Sequence, residues 1–290
     1  MTPKSATISI LMGALCMSFA ALFVRLIQNA DGYQILFYRG FPQCGIVILI
    51  ACIARGMSIR IFFNSIDRTD VLLGIAMCSA FSFYIFALLN TSVASALFIL
   101  SIAPVVAALL SWFLIGEKPL NHTWAAIFLA LIGVTIMVGA GLYQGRMLGN
   151  FFAMISACSF ALMLVIARKS KKTDVLTGNF LGGGFATILM AILALTIGDG
   201  LIISASDMWL SFVLGAFTIG LGIALVAWGA PYLPAANVGL LVLLESVMAP
   251  VWVWMILGYP MESQEMFGGL IVLCAVIMLS IKKFIKHKLC

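Results

Sequence analysis

Apolar residues in this chain run in long unbroken blocks rather than in short amphipathic stripes. The blocks fall roughly at 6–27, 33–54, 71–89, 93–115, 122–141, 148–168, 177–198, 208–230, 235–257 and 264–284. An apolar helix of about 20 residues spans the hydrocarbon core of a bilayer. The period-two alternation of a membrane β-barrel is missing from the blocks. The pattern therefore predicts an all-α membrane protein of ten transmembrane helices. Asn90-Thr91-Ser92 joins the third and fourth blocks and Tyr232-Leu233-Pro234 the eighth and ninth, links short enough to force antiparallel hairpins. No long soluble domain is left over. The first block exceeds a signal-peptide core, and no small-x-small cleavage site follows it. Leu15 also stands before Cys16 where a lipoprotein signal needs a small residue. We expect this block to remain as a first helix.

Composition and charge sharpen this picture. Of 290 residues, 64% are hydrophobic and 9% charged, against about a quarter charged in a soluble domain. The net charge of +6 is not a nucleic-acid signature, because the positive residues sit in the connections, where they report topology. With the N-terminus in the cytoplasm, 13 of the 16 basic residues are cytoplasmic: Lys4, Arg55, Arg60, Arg68, Lys118, Arg168, Lys169, Lys171, Lys172, Lys282, Lys283, Lys286 and Lys288. The external side holds Arg146, with Arg25 near the outer end of span one and Arg39 within span two. Both termini are expected in the cytoplasm, in a multi-pass protein of the cytoplasmic (inner) membrane. A reporter fused at Lys172 should read cytoplasmic and one at Asp199 external; the opposite pair of signals rejects the ten-span arrangement.

The chain also matches itself. Shifted by 142 residues, spans four and five fall on spans nine and ten without a gap, bringing Ala94 onto Ala236, Gly116 onto Gly258 and Val134 onto Val276. Two units are expected, 1–142 and 143–290. Five spans is an odd number, so the second copy must be inverted. Inverted repeats are common in secondary transporters, with the substrate held near the midplane between the halves.

Candidate chemistry is sparse. Glu245 is the one acidic residue deep in a span, and a charge at that depth must be paired, hydrated or protonated, facing the bundle interior or a cavity. It either holds a cationic group, exchanges a proton, or serves as a structural hydrogen-bonder. Arg39, six residues into span two, either snorkels to the outer interface or points inward to a carboxylate. Arg25 reads as an interfacial anchor. Trp252 follows Glu245 by seven residues, on nearly the same helical face. An indole beside a carboxylate suits an organic amine, while tryptophan at a membrane interface is the commoner case. Tyr84 and Trp228 are the other mid-membrane aromatic candidates. Pro42, Pro104 and Pro250 each remove a helical hydrogen bond and can kink their spans. Glycines at 182–184, 215, 220 and 222 read first as close-packing positions. They do not form a nucleotide loop, since no strand precedes and no lysine follows. Six of the seven cysteines lie inside apolar blocks without a CxxC pair, and His122 and His287 stand far apart. Neither a metal site nor a cofactor is expected, and no nucleophile–base pair suggests an enzyme.

Several motifs stand in a recognisable order. The first half carries Tyr38-Arg39 at the start of span two, then Pro104-Val105 and Gly116-Glu117-Lys118-Pro119 at the exit of span four. The second carries Leu233-Pro234-Ala235-Ala236, Leu244-Glu245, Trp252-Val253-Trp254 and Gly258. In order and spacing, over nearly the whole chain, this resembles the EamA family of the drug/metabolite transporter superfamily, ten-helix carriers of two inverted five-helix repeats. The resemblance implies export of a small organic metabolite, an amino acid or related compound, by alternating access, with a proton or counter-substrate as coupling partner. A passive channel, a structural membrane subunit and a membrane-embedded enzyme are the rival classes. One departure stands out: where the family often places a glutamate after the glycine closing span nine, this chain has Tyr259. The expected site lies among spans three, four, eight and nine, near Glu245, Trp228, Trp252, Tyr84 and Arg39, with spans five and ten outside.

Overall fold

The computed structural model describes residues 3–56, 58–116, 121–143, 146–169, 176–229, 232, 235–259 and 261–288. Glu117, Lys118, Pro119, Lys171, Lys172, Leu233 and Pro234, which entered the sequence reading, lie outside them. All described regular structure is helical: α1 (Pro3–Ser18), α2 (Ala20–Leu26), α3 (Gly32–Arg55), α4 (Ile59–Asn64), α5 (Arg68–Asn90), α6 (Val93–Leu100), α7 (Ala103–Ile115), α8 (Asn121–Tyr143), α9 (Met147–Lys169), α10 (Leu176–Thr196), α11 (Ala205–Val213), a π-helix (Leu214–Leu221), α12 (Gly222–Gly229), α13 (Ala235–Leu257) and α14 (Ser263–Lys288).

Seven stretches among the described residues are long and apolar enough to cross a membrane: Lys4–Leu26, Gly32–Ile53, Arg68–Asn90, Val93–Ile115, Met147–Ala167, Leu176–Thr196 and Ala205–Val226. Where spans five, nine and ten were expected, α8, α13 and α14 carry shorter apolar stretches, Thr123–Ile136, Leu244–Leu257 and Ser263–Ala275. The outward surface of the bundle is apolar, with Phe113, Leu195, Phe267 and Met255 turned away from the protein. Buried polar residues such as Arg39, Gln43, Asn179 and Thr218 lie inside it. This reversal of the soluble pattern is what a hydrocarbon solvent requires.

Helix starts are set by local chemistry. Asp31 accepts from the Gln34 backbone N–H at 2.7 Å while the Gln34 side chain accepts from Asp31 N at 2.9 Å, a reciprocal cap that begins α3. Asp67 and Asp70 do the same for α5. Such caps satisfy backbone donors that a helix end leaves orphaned.

Three of the crossing stretches are interrupted. The first breaks at Phe19, between α1 and α2, and the fourth at Ser101-Ile102, with Pro104 in the opening turn of α7. The seventh widens into the π-helix, with Thr218 Oγ1 donating to the Leu214 carbonyl. Proline tolerated in the first turn restarts a helix without losing a bond, so Pro104 marks a break rather than a smooth kink.

α5 packs on α9, α10 on α3 and α5, α1 on α12 and α13, and α8 on α14. Glycine sets the closest approaches. A Cβ on Gly215 would stand 2.0 Å from the carbonyl oxygen of Arg39, and one on Gly182 would stand 2.8 Å from Cβ of Met77. Small residues serve here to bring helices together, and Gly215 lets the π-helix lie directly against α3 beside Arg39.

Candidate functional site

Five residues were expected to mark the site, and the fold buries two of them, Arg39 and Tyr84, on α3 and α5. Arg39 sits on α3, one turn before Gln43, and its side chain is 1% exposed. It does not snorkel outward. Its guanidinium lies 5.6 Å from the centroid of the Phe81 ring on α5, within the range of a cation–π contact. Its Nε and Nη1 are buried without a hydrogen-bond partner among the described residues. Tyr84, one turn beyond Phe81 on α5, is also buried and its hydroxyl is likewise unpartnered. Tyr84 is within electrostatic reach of both Arg39 and Glu245. Glu245 lies partly buried in the middle of α13. Among the described residues neither Arg39 nor Glu245 is in an ion pair.

Trp252 occupies the same helix as Glu245 but is engaged differently. Its Nε1–H donates to Ser18 Oγ at 2.9 Å, and its ring stacks on Phe19 at 5.0 Å between centroids. Ser18 Oγ in turn donates to the Leu15 carbonyl at 2.7 Å. Trp252 thus anchors α13 to the break in the first crossing stretch, with one ring face already covered. Trp228 stands apart: on α12 it is 51% exposed and turned outward.

Arg25, expected as an interfacial anchor, donates through Nη2 to the Thr91 carbonyl at 2.5 Å, a carbonyl just past the end of α5 that no helix satisfies. Thr91 Oγ1 donates to Asn150 Oδ1 at 2.7 Å. The same end of the bundle holds a carboxylate that reading the sequence overlooked. Glu265, 2% exposed at the start of α14, accepts from Ser92 Oγ, from Ser95 Oγ at 3.0 Å and from Arg146 Nη1 at 3.1 Å. Asp207, buried at the start of α11, accepts from the backbone N–H of Asn29 at 3.1 Å. A spacing of three between polar residues, as in Glu262 and Glu265 or Ser204 and Asp207, was the available signal. These groups tie helix ends across the bundle. They do not line the interior with Arg39, Tyr84 and Glu245.

A family model described as the EamA-like transporter family matches residues 4–139 and again residues 147–281. A curated relative from Archaeoglobus fulgidus, described as an uncharacterized transporter, is 26% identical over 275 residues, covering 93% of this chain and 94% of its own length. A solved crystal structure superposes with a TM-score of 0.64 at 20% identity, over 94% of this chain and 97% of that one. That likeness speaks for the fold alone.

Proposed function

This chain belongs to the EamA-like transporter family, and from that premise we propose that it is a secondary transporter exporting a small organic metabolite, an amino acid or related compound, across the cytoplasmic membrane by alternating access. The observation that carries the reading is the pair of buried groups on α3 and α5, the Arg39 guanidinium and the Tyr84 hydroxyl, with donor atoms that have no partner among the described residues, together with the partly buried Glu245 on α13. Isolated polar groups at membrane depth cost several kcal/mol, and a bundle that keeps them unpaired keeps them for a ligand. Trp252 packs against the buried cluster that includes Tyr84, while Trp228 is half exposed.

The architecture we propose is ten spans in two inverted repeats, residues 1–142 and 143–290, with both termini in the cytoplasm. The family model's two successive matches support a repeat. The breaks at Phe19 and at Ser101-Ile102, together with the π-helix, resemble the interrupted helices from which transporters build midplane sites. By this topology the Arg25, Glu265 and Asp207 contacts close the external end. Glu245 either holds a cationic group of the substrate or exchanges a proton, and the coupling partner is a proton or a counter-substrate.

Export is tested in cells. A ligand is first found by thermal shift on the purified protein, since a compound that binds only the native state raises its melting temperature with log concentration. Cells overproducing the chain should then retain less of that compound, after loading, than cells carrying an empty vector. Equal or greater retention overturns the export reading.

A further inference from the structure

The connection between the second and third crossing stretches, Gly32–Ile53 and Arg68–Asn90, begins and ends on one face of the membrane. α3 stops sharply at Gly56, whose backbone is left-handed with φ of 60°, a conformation glycine adopts without a Cβ clash. α4 (Ile59–Asn64) forms at once, its first turn capped by Ser58 Oγ, which accepts from the Ile61 backbone N–H at 3.3 Å. A short helix held between the ends of two spans lies at the boundary of hydrocarbon and headgroups.

Its side chains divide accordingly. Phe62 is buried and ties α4 to the bundle. The rings of Phe62 and Phe63 each meet Phe180 of α10 edge-on, at 5.5 Å between centroids. Ile59, Ile61 and Phe63 are exposed, a concentration of large apolar groups that marks an interaction surface rather than a water-facing loop. Arg60 and Arg68 are exposed in the same segment. Asp67, the one acidic residue between the two spans, is engaged as the cap of α5, accepting from the Asp70 backbone N–H at 2.9 Å.

We propose that α4 is a membrane-surface anchor for anionic phospholipid: Ile59, Ile61 and Phe63 sit at the acyl boundary, and Arg60 and Arg68 hold headgroup phosphates. So few apolar residues bind a bilayer weakly by area alone, and attraction to anionic lipid supplies the rest. By the proposed topology this connection is cytoplasmic, on the leaflet whose negative potential draws basic segments. The guanidinium fork matches two phosphate oxygens, and a zwitterionic headgroup offers it no net charge. The anchor bears on the bundle through Phe180. That residue follows Asn179, whose Oδ1 accepts from Gln43 Nε2 at 2.8 Å, and its own carbonyl accepts from Cys44 Sγ at 3.4 Å. Lipid seated on α4 therefore supports the contact between α3 and α10. This goes beyond the transporter reading and needs only a chain embedded in a membrane.

The test uses the full-length protein purified in dodecyl maltoside, with dioleoyl phosphatidylglycerol and dioleoyl phosphatidylcholine as probes. Phosphatidylglycerol should raise the melting temperature more than an equal concentration of phosphatidylcholine, and the difference should shrink as sodium chloride rises from about 0.05 to about 0.5 M. Arg60→Gln should weaken the apparent affinity for phosphatidylglycerol about fivefold, and Arg60→Gln with Arg68→Gln about thirtyfold. The single variant is the readout where the double variant fails to fold. Equal shifts with the two lipids, a phosphatidylglycerol shift undiminished in the variants, or the same shift from sodium phosphate at equal ionic strength overturns the anchor. An arginine-dependent lipid shift in a protein that moves no solute would instead reject the transporter and leave the anchor standing.

Discussion

Glu245→Gln should reduce transport of the identified ligand about a hundredfold while leaving the fold intact. Glu245 lies partly buried and mid-helix in α13. The amide preserves size and hydrogen-bonding capacity, so the substitution isolates the charge. A hydrogen bond to a charged group contributes about 1.5–3 kcal/mol, and each 1.4 kcal/mol corresponds to about tenfold. Loss of a charge-dependent step therefore lies between one and two orders of magnitude, and failure of proton exchange carries it to the upper end. Stability should not fall, because the glutamine removes a partly buried charge whose desolvation opposed folding. Initial rates in proteoliposomes, paired with thermal unfolding of the same preparation, measure both halves. Near-normal transport by Glu245→Gln together with misfolding of Glu245→Leu would instead make Glu245 a structural hydrogen-bonder.

The second large effect is on stability. Glu265→Ala should cost about 3 kcal/mol, in keeping with the loss of one partner from a buried charged network. Three side chains converge on the Glu265 carboxylate, Ser92, Ser95 and Arg146, and its second oxygen accepts from Glu262 N at 3.3 Å. Truncation leaves Ser92 and Ser95 without their shared acceptor. Arg146 keeps Glu262 at 3.3 Å and is a third exposed, so its own loss is moderated by solvent. Glu265→Gln should recover a large part, since the amide oxygen still accepts from the serines. Thermal unfolding should show the alanine variant several degrees below wild type and the glutamine variant between them. An unchanged melting temperature in Glu265→Ala would show that the contacts at this end carry no weight in the fold.

What could be read from the sequence followed from the solvent. Hydrocarbon demands long apolar helices, so the expected spans at 33–54, 71–89, 148–168 and 177–198 lie within a few residues of α3, α5, α9 and α10. Burial direction could not be read the same way. A helix apolar all round has no stripe to mark its inner face, and Trp228 and Trp252 looked equivalent until packing turned one outward and stacked the other on Phe19. The discontinuities were hidden for a related reason. Pro104 announced a disturbance in the fourth crossing stretch, but nothing local distinguishes Phe19 or the π-helix at Leu214–Leu221 from ordinary apolar sequence. The burial of Arg39 and Tyr84 is wholly tertiary: they come from α3 and α5, and no spacing along the chain relates them. Glu265 was missed because it stands at a helix start, where an acidic residue reads as a cap, and only the approach of Ser92, Ser95 and Arg146 makes it a junction.

Alternating access is the central claim, and counterflow tests it most directly. Proteoliposomes containing the purified protein are loaded with a high concentration of unlabelled ligand and diluted into a trace of labelled ligand. A carrier that exposes one site to each side in turn returns loaded more readily than empty, so label should accumulate transiently above its equilibrium level before decaying. Empty vesicles and vesicles bearing Glu245→Gln should show no such overshoot. Label that rises smoothly to equilibrium at a rate independent of the internal unlabelled ligand is the behaviour of a channel, and it would contradict the account.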